Sequence, residues 1–512
     1  MKGRLPGTGG DAYRVRDAAG LTRLLGRLDC AGDLIVVSNR APWIHSHSPA
    51  GPVARRPAGG LVTALETVLA AHGGCWIAHG SGDADRAVTD EHGHVRACDL
   101  PSSYRLRRLW LSADEVDGHY HGMSNDGLWP LCHDAGVAPV FCPRDWQLYR
   151  QVNRRFADAV AAEARSESPV VLVQDYHLAL APRMIRERLP RAIIIMFWHI
   201  PFPAPQRWAT FAWREEVMDG LLCSDLVGLQ TAADLAHFNA LRAACPDRGM
   251  AAGRTMAGCF PVSIAWPERT EPAFPKAARR AARTTVERRF GIAPGVRVLL
   301  GVDRLDYTKG IAERLLAFEC LLAQHPGLRG SVSLLQVTAP GRAGAPYRAL
   351  ESRVRALAHR INGRFGSGGW TPVILHLGGA DAVTVNECYR ACDVCLVTSL
   401  HDGMNLVAKE FVAARADLRG VLVLGRRAGA AGELRQALLT DPRDIPALAA
   451  AICAALAMPR HEQALRMAAM RKVVRRHTVY GWAARLLDAG VRAAGGGHVL
   501  GRQAGHVLEA AA

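Results

Sequence analysis

The feature that most constrains this chain is a unit repeated along almost its whole length. Each copy is a short apolar run, a polar turn and then a helical segment. Runs of this kind stand at 33–40, 75–79, 170–177, 193–203, 226–231 and 260–264, and again at 296–302, 333–338, 393–397 and 421–424. Apolar runs without strict alternation read as strands covered on both faces. Strands that alternate with helices build a mainly parallel sheet with helices on either side. In such a sheet ligands sit beyond the carboxyl ends of the strands, where helix N-termini offer free N–H groups to an anion. The stretch 393–412 shows the unit in full. Val394 to Val397 is the strand, Thr398 to Gly403 crowds carboxylate, imidazole and glycine into a turn, and Leu406, Val407, Ala408, Phe411 and Val412 give the helix its apolar faces. Asp402 and Glu410 either face a ligand from this segment or belong to a capped turn and its helix; both readings stand here.

At 512 residues the chain is too long for one small core, so two domains are expected. The fold class is α/β, with two successive Rossmann-like, doubly wound sheets. The expected divisions are a mobile arm over 1–32 with a short helix near Leu21 to Leu28, a first domain over 33–267, a charged boundary over 268–289 and a second domain over 290–468. A terminal amphipathic helix over 469–493 and a flexible Gly- and Ala-rich tail over 494–512 follow.

The formal net charge of +16 raises nucleic acid as a partner. However, only Lys2, Lys276, Lys309, Lys409 and Lys472 are lysines, and the arginines are dispersed apart from 279–289. That skew fits a compositional bias, and an acidic small substrate accounts for part of the excess. No basic cluster interleaved with aromatics marks a nucleic-acid module, so none is expected as a partner. No apolar run approaches the ~18 residues of a membrane span, and the N-terminus lacks the apolar core of a secretory signal. The thirteen cysteines are odd in number and scattered. They are expected to be reduced thiols in a cytoplasmic protein, with Cys388, Cys392 and Cys395 packing the core and holding no metal.

Candidate site residues sit at the strand ends. Gly59 and Gly60 open a helix where the backbone can approach a ligand closely. Tyr120 to Trp129 brings aromatic rings with polar tips, suited to sugar faces, into what otherwise reads as an ordinary loop. Asp175 and His177 end one strand, and His199 ends the next inside a proline-braced turn. Arg304 and Lys309, five residues apart at a strand-to-helix turn, would clamp a diphosphate, or else bond Asp303 and Asp306 as surface cations. Arg342 lies on the loop after the following strand.

Taken in order, these motifs resemble the trehalose-6-phosphate synthase family of retaining glycosyltransferases. The likeness runs from about Leu34 to Leu487. It rests on VSNR at 37–40, GGL at 59–61, the Tyr120/Trp129 stretch, QDYHL at 174–178 and HIPFP at 199–203. It continues with DLVGLQT at 225–231, DRLDYTKG at 303–310, RINGRFG at 360–366, GWTP at 369–372 and DGMNLVAKE at 402–410. The resemblance implies the GT-B arrangement, in which two Rossmann-like domains face a central cleft and the C-terminal helix returns to the first domain. It implies transfer of glucose from a nucleotide diphosphate donor to a sugar phosphate, with retention and without a cofactor or metal. By matching position, Arg304 and Lys309 would bind the diphosphate. Glu410 would hold the ribose, Leu406 and Val407 would lie against the nucleotide, and Gly59 and Gly60 would approach the donor. His199, Asp402 and Asn405 would hold the transferred sugar. Arg40, Tyr120, Trp129, Asp175 and Arg342 would bind the acceptor, with Asp175 the reserve base.

The chain departs from the family pattern at His79, where a second Trp is common, at Ala380-Asp381-Ala382 near the nucleotide base, at His401 and at Ser263. The donor base is therefore left open among UDP, GDP and ADP. Rival readings are a glucosylglycerol-phosphate synthase, an aminocyclitol pseudo-glycosyltransferase and a non-catalytic sugar-phosphate sensor. A homo-oligomer is left open, and a trehalose-6-phosphate phosphatase is the partner that family biology implies.

Overall fold

The computed structural model describes residues 12, 14–28, 33–56, 60–100, 104–245, 255–267 and 275–495. The chain divides into two compact units. The first comprises 1–132, 138–265 and 477–512, and the second 133–137 and 266–476.

Fifteen strands occur among the described residues. In the first unit they are β1 (Leu34–Arg40), β2 (Ile44–Ser46), β3 (Val53–Arg55), β4 (Cys75–His79), β5 (Arg105–Leu109), β6 (Val170–Gln174), β7 (Ile193–Phe197), β8 (Leu226–Leu229) and β9 (Met256–Cys259). All but the β2–β3 hairpin join one seven-stranded parallel sheet in the order β5-β4-β1-β6-β7-β8-β9. The chain winds outward from β1 through β4 to β5, then returns to the other side of β1 to start β6. The winding therefore reverses between β1 and β6, and the crevice beyond their carboxyl ends is where such a sheet takes a ligand.

The second unit repeats the plan with β10 (Arg297–Arg304), β11 (Val332–Ala339), β12 (Val373–Leu377), β13 (Val394–Val397), β14 (Val421–Gly425) and β15 (Leu438–Thr440). Their order is β12-β11-β10-β13-β14-β15, all parallel, so this sheet reverses between β10 and β13. The α/β class and the two doubly wound sheets are as expected.

Central strands such as Ile35, Val36, Leu172, Leu299 and Leu396 are buried on both faces, which is why they read as continuous apolar runs. β5, β12 and β15 escape the sequence reading because they lie toward the sheet edges and carry Arg, His or Thr among their apolar residues. The strand expected over 260–264 lies earlier, over Met256–Cys259. The Phe260 N–H makes the last bond, to the Leu229 carbonyl, and Pro261 has no N–H with which to continue.

Three other expectations change. Within the supposed arm, the helix Ala18–Arg27 is docked, with Leu21, Leu24 and Leu25 fully buried against the helices Gly60–His72 and Val479–Gly495. The expected terminal helix over 469–493 is two helices, Arg460–Arg476 in the second unit and Val479–Gly495 in the first. They part at Thr478, whose hydroxyl accepts from the Gly481 N–H and donates to the Arg16 carbonyl. The stretch from Tyr120 to Trp129 is no loop: Val116–Leu128 is a helix wound wider than an α-helix, and the Trp129 N–H reaches back five residues to the Ser124 carbonyl. The expected tail falls outside the described residues beyond Gly495.

The return of the last helix to the first unit is borne out. It lies against β7 and β8, with Trp482 edge-on to Phe197 at 5.1 Å. Glycine permits the approach, since a Cβ on Gly490 would collide with Ile195 and one on Gly228 with Phe197 and Leu486. Among the described residues no helix is long and apolar enough to cross a membrane.

Candidate active site

In the second unit the functional side chains gather at the reversal between β10 and β13. β10 ends in Arg304, and the turn after it carries Lys309 and closes on Gly310. Gly310 has φ +63° and stands so close to the Thr398 carbonyl that a side chain would collide with it. β13 ends at Val397, just before Thr398, and leads through Asp402 into the helix Leu406–Ala414. The topology thus brings together two residues far apart in sequence: Lys309 Nζ donates to Asp402 Oδ2 at 2.5 Å. The same carboxylate accepts from Ser399 Oγ and Asn405 Nδ2, both at 3.0 Å. Burial works against its charge, but Lys309, joined by His133 and the Ser399 hydroxyl, holds Asp402 below the usual carboxylate range.

Arg304 and Arg342 meet at a different acid. Asp306 is buried, with Arg342 Nη1 at 3.1 Å and Arg304 Nη2 at 3.6 Å from its Oδ2. Burial opposes that charge too, and Arg342, Arg304 and Lys309 together keep its pKa low. Arg342 also donates to the Tyr347 hydroxyl. The surface-cation reading of Arg304 is therefore partly right, because Asp306 does approach it, yet its side chain remains about one third exposed. Asn405 caps the helix Leu406–Ala414 with φ +72° and makes no side-chain capping bond, which leaves the helix start open to an anion. Leu406 and Val407 are half-buried on its first turn. One turn on, Glu410 accepts from the Tyr389 hydroxyl at 3.0 Å, and burial raises its pKa above the ordinary value.

In the first unit the candidates gather at the reversal between β1 and β6. Arg40, the last residue of β1, donates to the Tyr120 hydroxyl at 3.4 Å. Tyr120 stacks on His177, with ring centroids 5.8 Å apart. Trp129, buried at the end of the same wide helix, packs on Tyr176. After β6, Asp175 has φ +69°, a conformation that costs about 1–3 kcal/mol in a residue with a side chain. Its N–H donates to the Phe197 carbonyl, and its Oδ1 accepts from the His199 N–H at 3.0 Å, so Asp175 and His199 are also brought together. The His199 ring lies beside Phe197 and within reach of the Gln174 side chain at 2.8 Å. Desolvation pushes its pKa down to about 3, so the imidazole is neutral. His79 is the cross-strand neighbour of Arg40 and lines a cavity of about 480 Å³ together with Arg86, Trp110 and Asp117.

Of the two glycines, Gly60 starts the helix Gly60–His72, and Gly59 lies outside the described residues. Arg342 stands in the second unit beside Arg304, whereas Arg40, Tyr120, Trp129, Asp175 and His199 stand in the first. Sequence reasoning missed Ser399, Tyr389, Tyr347 and Gln174. Ser399, three residues before Asp402, Gln174, beside Asp175, and Tyr347, five residues after Arg342, stand close in sequence to candidates, whereas Tyr389 reaches Glu410 across the fold. Cys388, Cys392 and Cys395 are buried thiols, and burial pushes those of Cys388 and Cys392 up to about 12.

Comparison with known proteins identifies this arrangement. The family model described as glycosyltransferase family 20 matches residues 32–490. The trehalose-6-phosphate synthase of Mycobacterium avium (strain 104) is 40% identical over 478 residues, which cover 89% of this chain and 95% of that protein. The crystal structure of an alpha,alpha-trehalose-phosphate synthase (UDP-forming) from Burkholderia xenovorans in complex with glucose-6-phosphate is 32% identical. It has a TM-score of 0.78 and covers 89% of this chain and 99% of that one. An E. coli structure bound with UDP-2-fluoro glucose is 30% identical, with a TM-score of 0.76 over 89% of this chain and 98% of that one. Two parallel doubly wound sheets, the strand-end motifs in order and a match along most of the length make one case: the chain belongs to glycosyltransferase family 20, the trehalose-6-phosphate synthase family.

Proposed function

We propose that this protein is an alpha,alpha-trehalose-6-phosphate synthase that transfers glucose from UDP-glucose to glucose 6-phosphate with retention at the anomeric carbon. The observation that carries the reading is the cationic turn of the second sheet. Arg304 and Lys309 flank the point where that sheet reverses, with Asp402 bonded to Lys309. Preorganised cations aimed where charge develops are the largest expected source of rate. UDP is preferred because the similar Burkholderia protein is UDP-forming and the E. coli structure carries a UDP sugar.

On this reading Lys309 and Arg304 hold the diphosphate, and the open helix start at Leu406 adds partial positive charge. Glu410 takes the ribose, with Leu406 and Val407 against the nucleotide and Gly59 and Gly60 approaching by backbone. Asp402, Asn405 and neutral His199 hold the transferred glucose; a neutral imidazole orients hydroxyls without adding charge. Arg40, Tyr120, Trp129, Asp175 and Arg342 bind the acceptor and its phosphate. The bond from the anomeric carbon to the diphosphate oxygen breaks, and the acceptor hydroxyl oxygen bonds to that carbon on the same face. Its proton passes to the departing phosphate oxygen, with Asp175 the reserve base. Trehalose 6-phosphate would then pass to a phosphatase.

The test pairs UDP-, GDP- and ADP-glucose with glucose 6-phosphate, glycerol 3-phosphate and a blank, following nucleotide release and product mass. A disaccharide phosphate formed from UDP-glucose and glucose 6-phosphate is the expected result. Product from glycerol 3-phosphate alone would identify a glucosylglycerol-phosphate synthase. Donor binding without turnover in any pair would identify a sensor or pseudo-glycosyltransferase.

A further inference from the structure

A fully buried arginine lies directly beneath the cationic turn. Arg314, on the first turn of the helix Ile311–Gln324, extends its guanidinium across β10 at Gly301. A Cβ at Gly301 would collide with that guanidinium and with the Gln336 amide, so the glycine is the space the cation occupies. Arg314 Nη1 donates to Asp303 Oδ2 at 2.7 Å and to Gln336 Oε1 at 2.5 Å. Its Nε donates to the Thr398 hydroxyl at 3.1 Å.

That last bond has a directional consequence. Arg can only donate, so it occupies a lone pair of Thr398 Oγ1 and leaves the hydroxyl proton to be given elsewhere. The proton goes to the carbonyls of Gly310 at 3.1 Å and Lys309 at 3.4 Å. The Leu400 N–H reinforces the join by donating to the Thr308 carbonyl at 2.7 Å. From Thr398 the chain runs through Ser399 to Asp402, which holds Lys309 Nζ. Lys309 is thus gripped twice by one segment, at its backbone through Thr398 and at its side chain through Asp402.

We infer that Arg314 and Thr398 are positioning residues, which set the direction of the Lys309 ammonium toward the leaving diphosphate through the Lys309 and Gly310 carbonyls. The inference rests on the reading of Lys309 as the diphosphate cation. Removing Arg314 would leave Asp303 buried and uncompensated and could unfold the unit, so the test is made at Thr398. Thr398→Val keeps the shape and deletes the hydroxyl, while Thr398→Ser keeps the hydroxyl.

The experiment is a double-mutant cycle on kcat/KM for UDP-glucose with glucose 6-phosphate, combining Thr398→Val and Lys309→Ala, with thermal midpoints measured alongside. A misplaced catalytic group costs on the order of 10- to 100-fold, so Thr398→Val alone should lose that much and Thr398→Ser should restore most of it. With Lys309→Ala already present, Thr398→Val should cost less than about threefold, because the group it positions is gone. A lower thermal midpoint in Thr398→Val is compatible with a structural role as well, but the coupling is not. Lys309→Ala at wild-type kcat/KM would refute the diphosphate reading itself. If Lys309→Ala is impaired and Thr398→Val is either inert or equally costly in both backgrounds, the positioning inference is overturned.

Discussion

Replacing Lys309 by Met removes one charge and keeps most of the side-chain volume. Lys309 and Asp402 are each 12% exposed, so the ion pair is largely desolvated. Taking one partner from a buried pair costs about 3–5 kcal/mol when the other charge is left alone. Here the carboxylate keeps Ser399 and Asn405 as donors, which reduces the loss to about 1–3 kcal/mol, near that of one charged hydrogen bond. The pH dependence identifies the source. Burial tends to raise the Asp402 pKa, and Lys309, the first of the groups that lower it, is followed by His133 and Ser399, so the wild-type value is depressed. Such a group stabilises the fold above its unfolded pKa of about 4, and the contribution is lost as pH falls through the native value. In Lys309→Met the main lowering cause is absent. The stability gap between the two proteins should therefore be full at neutral pH and should close in acid, as read by urea unfolding across pH. On turnover, a lost cation at a developing negative charge should cost on the order of 10²- to 10³-fold in kcat. A stability gap independent of pH would refute the ion-pair argument, and an unchanged kcat would refute the assignment to the diphosphate.

Arg304→Ala should lower kcat on the order of 10²-fold while leaving the KM for glucose 6-phosphate near wild type; steady-state kinetics showing the reverse split would move Arg304 to the acceptor. Glu410→Gln should raise the donor KM about tenfold, the value of a hydrogen bond to a charged group. The same change should stabilise the protein at pH 8, because burial raises the Glu410 pKa and ionisation therefore costs the folded state. The gain should vanish near pH 4, and a thermal midpoint below wild type at pH 8 would contradict the argument. Trp482→Ala should destabilise the first unit by about 3–5 kcal/mol, since the ring is fully buried against Phe197. A loss below about 1 kcal/mol by denaturant unfolding would show that the last helix contributes little to that unit.

The central strands were legible because burial on both faces leaves a mark that any apolar run carries. The wide helix Val116–Leu128 was not, and the reason is specific. It contains Gly118, Gly122 and Gly127, each of which lowers helix propensity and reads as loop. In the fold those glycines are contact points. A Cβ would collide with Leu148 at Gly118, with Asp145 at Gly122 and with Phe141 at Gly127. Packing against the helix Pro143–Glu163 and its approach segment thus offsets the local preference. Docking of Ala18–Arg27 was missed for a related reason, since its apolar face belongs to a surface made by the far end of the chain.

The candidate residues were legible one at a time, as polar groups at strand ends, but their partnerships were not. Which strand ends become neighbours depends on strand order, and order is set by where the winding reverses. Lys309 follows β10 and Asp402 follows β13; they bond because those strands are adjacent in the second sheet, although β11 and β12 intervene in sequence. Asp175 and His199 follow β6 and β7 and bond for the same reason. The turns at these points also hold two of the three non-glycine residues with positive φ among those described, Asp175 and Asn405. Each uses its side chain to hold a site residue, Asp175 accepting from the His199 N–H on the neighbouring turn and Asn405 donating to Asp402 on its own turn. Glycine would adopt either backbone at less cost and would supply neither bond. The local rule is broken where a side chain is needed on a backbone that favours having none, and that conflict marks the site independently of any motif.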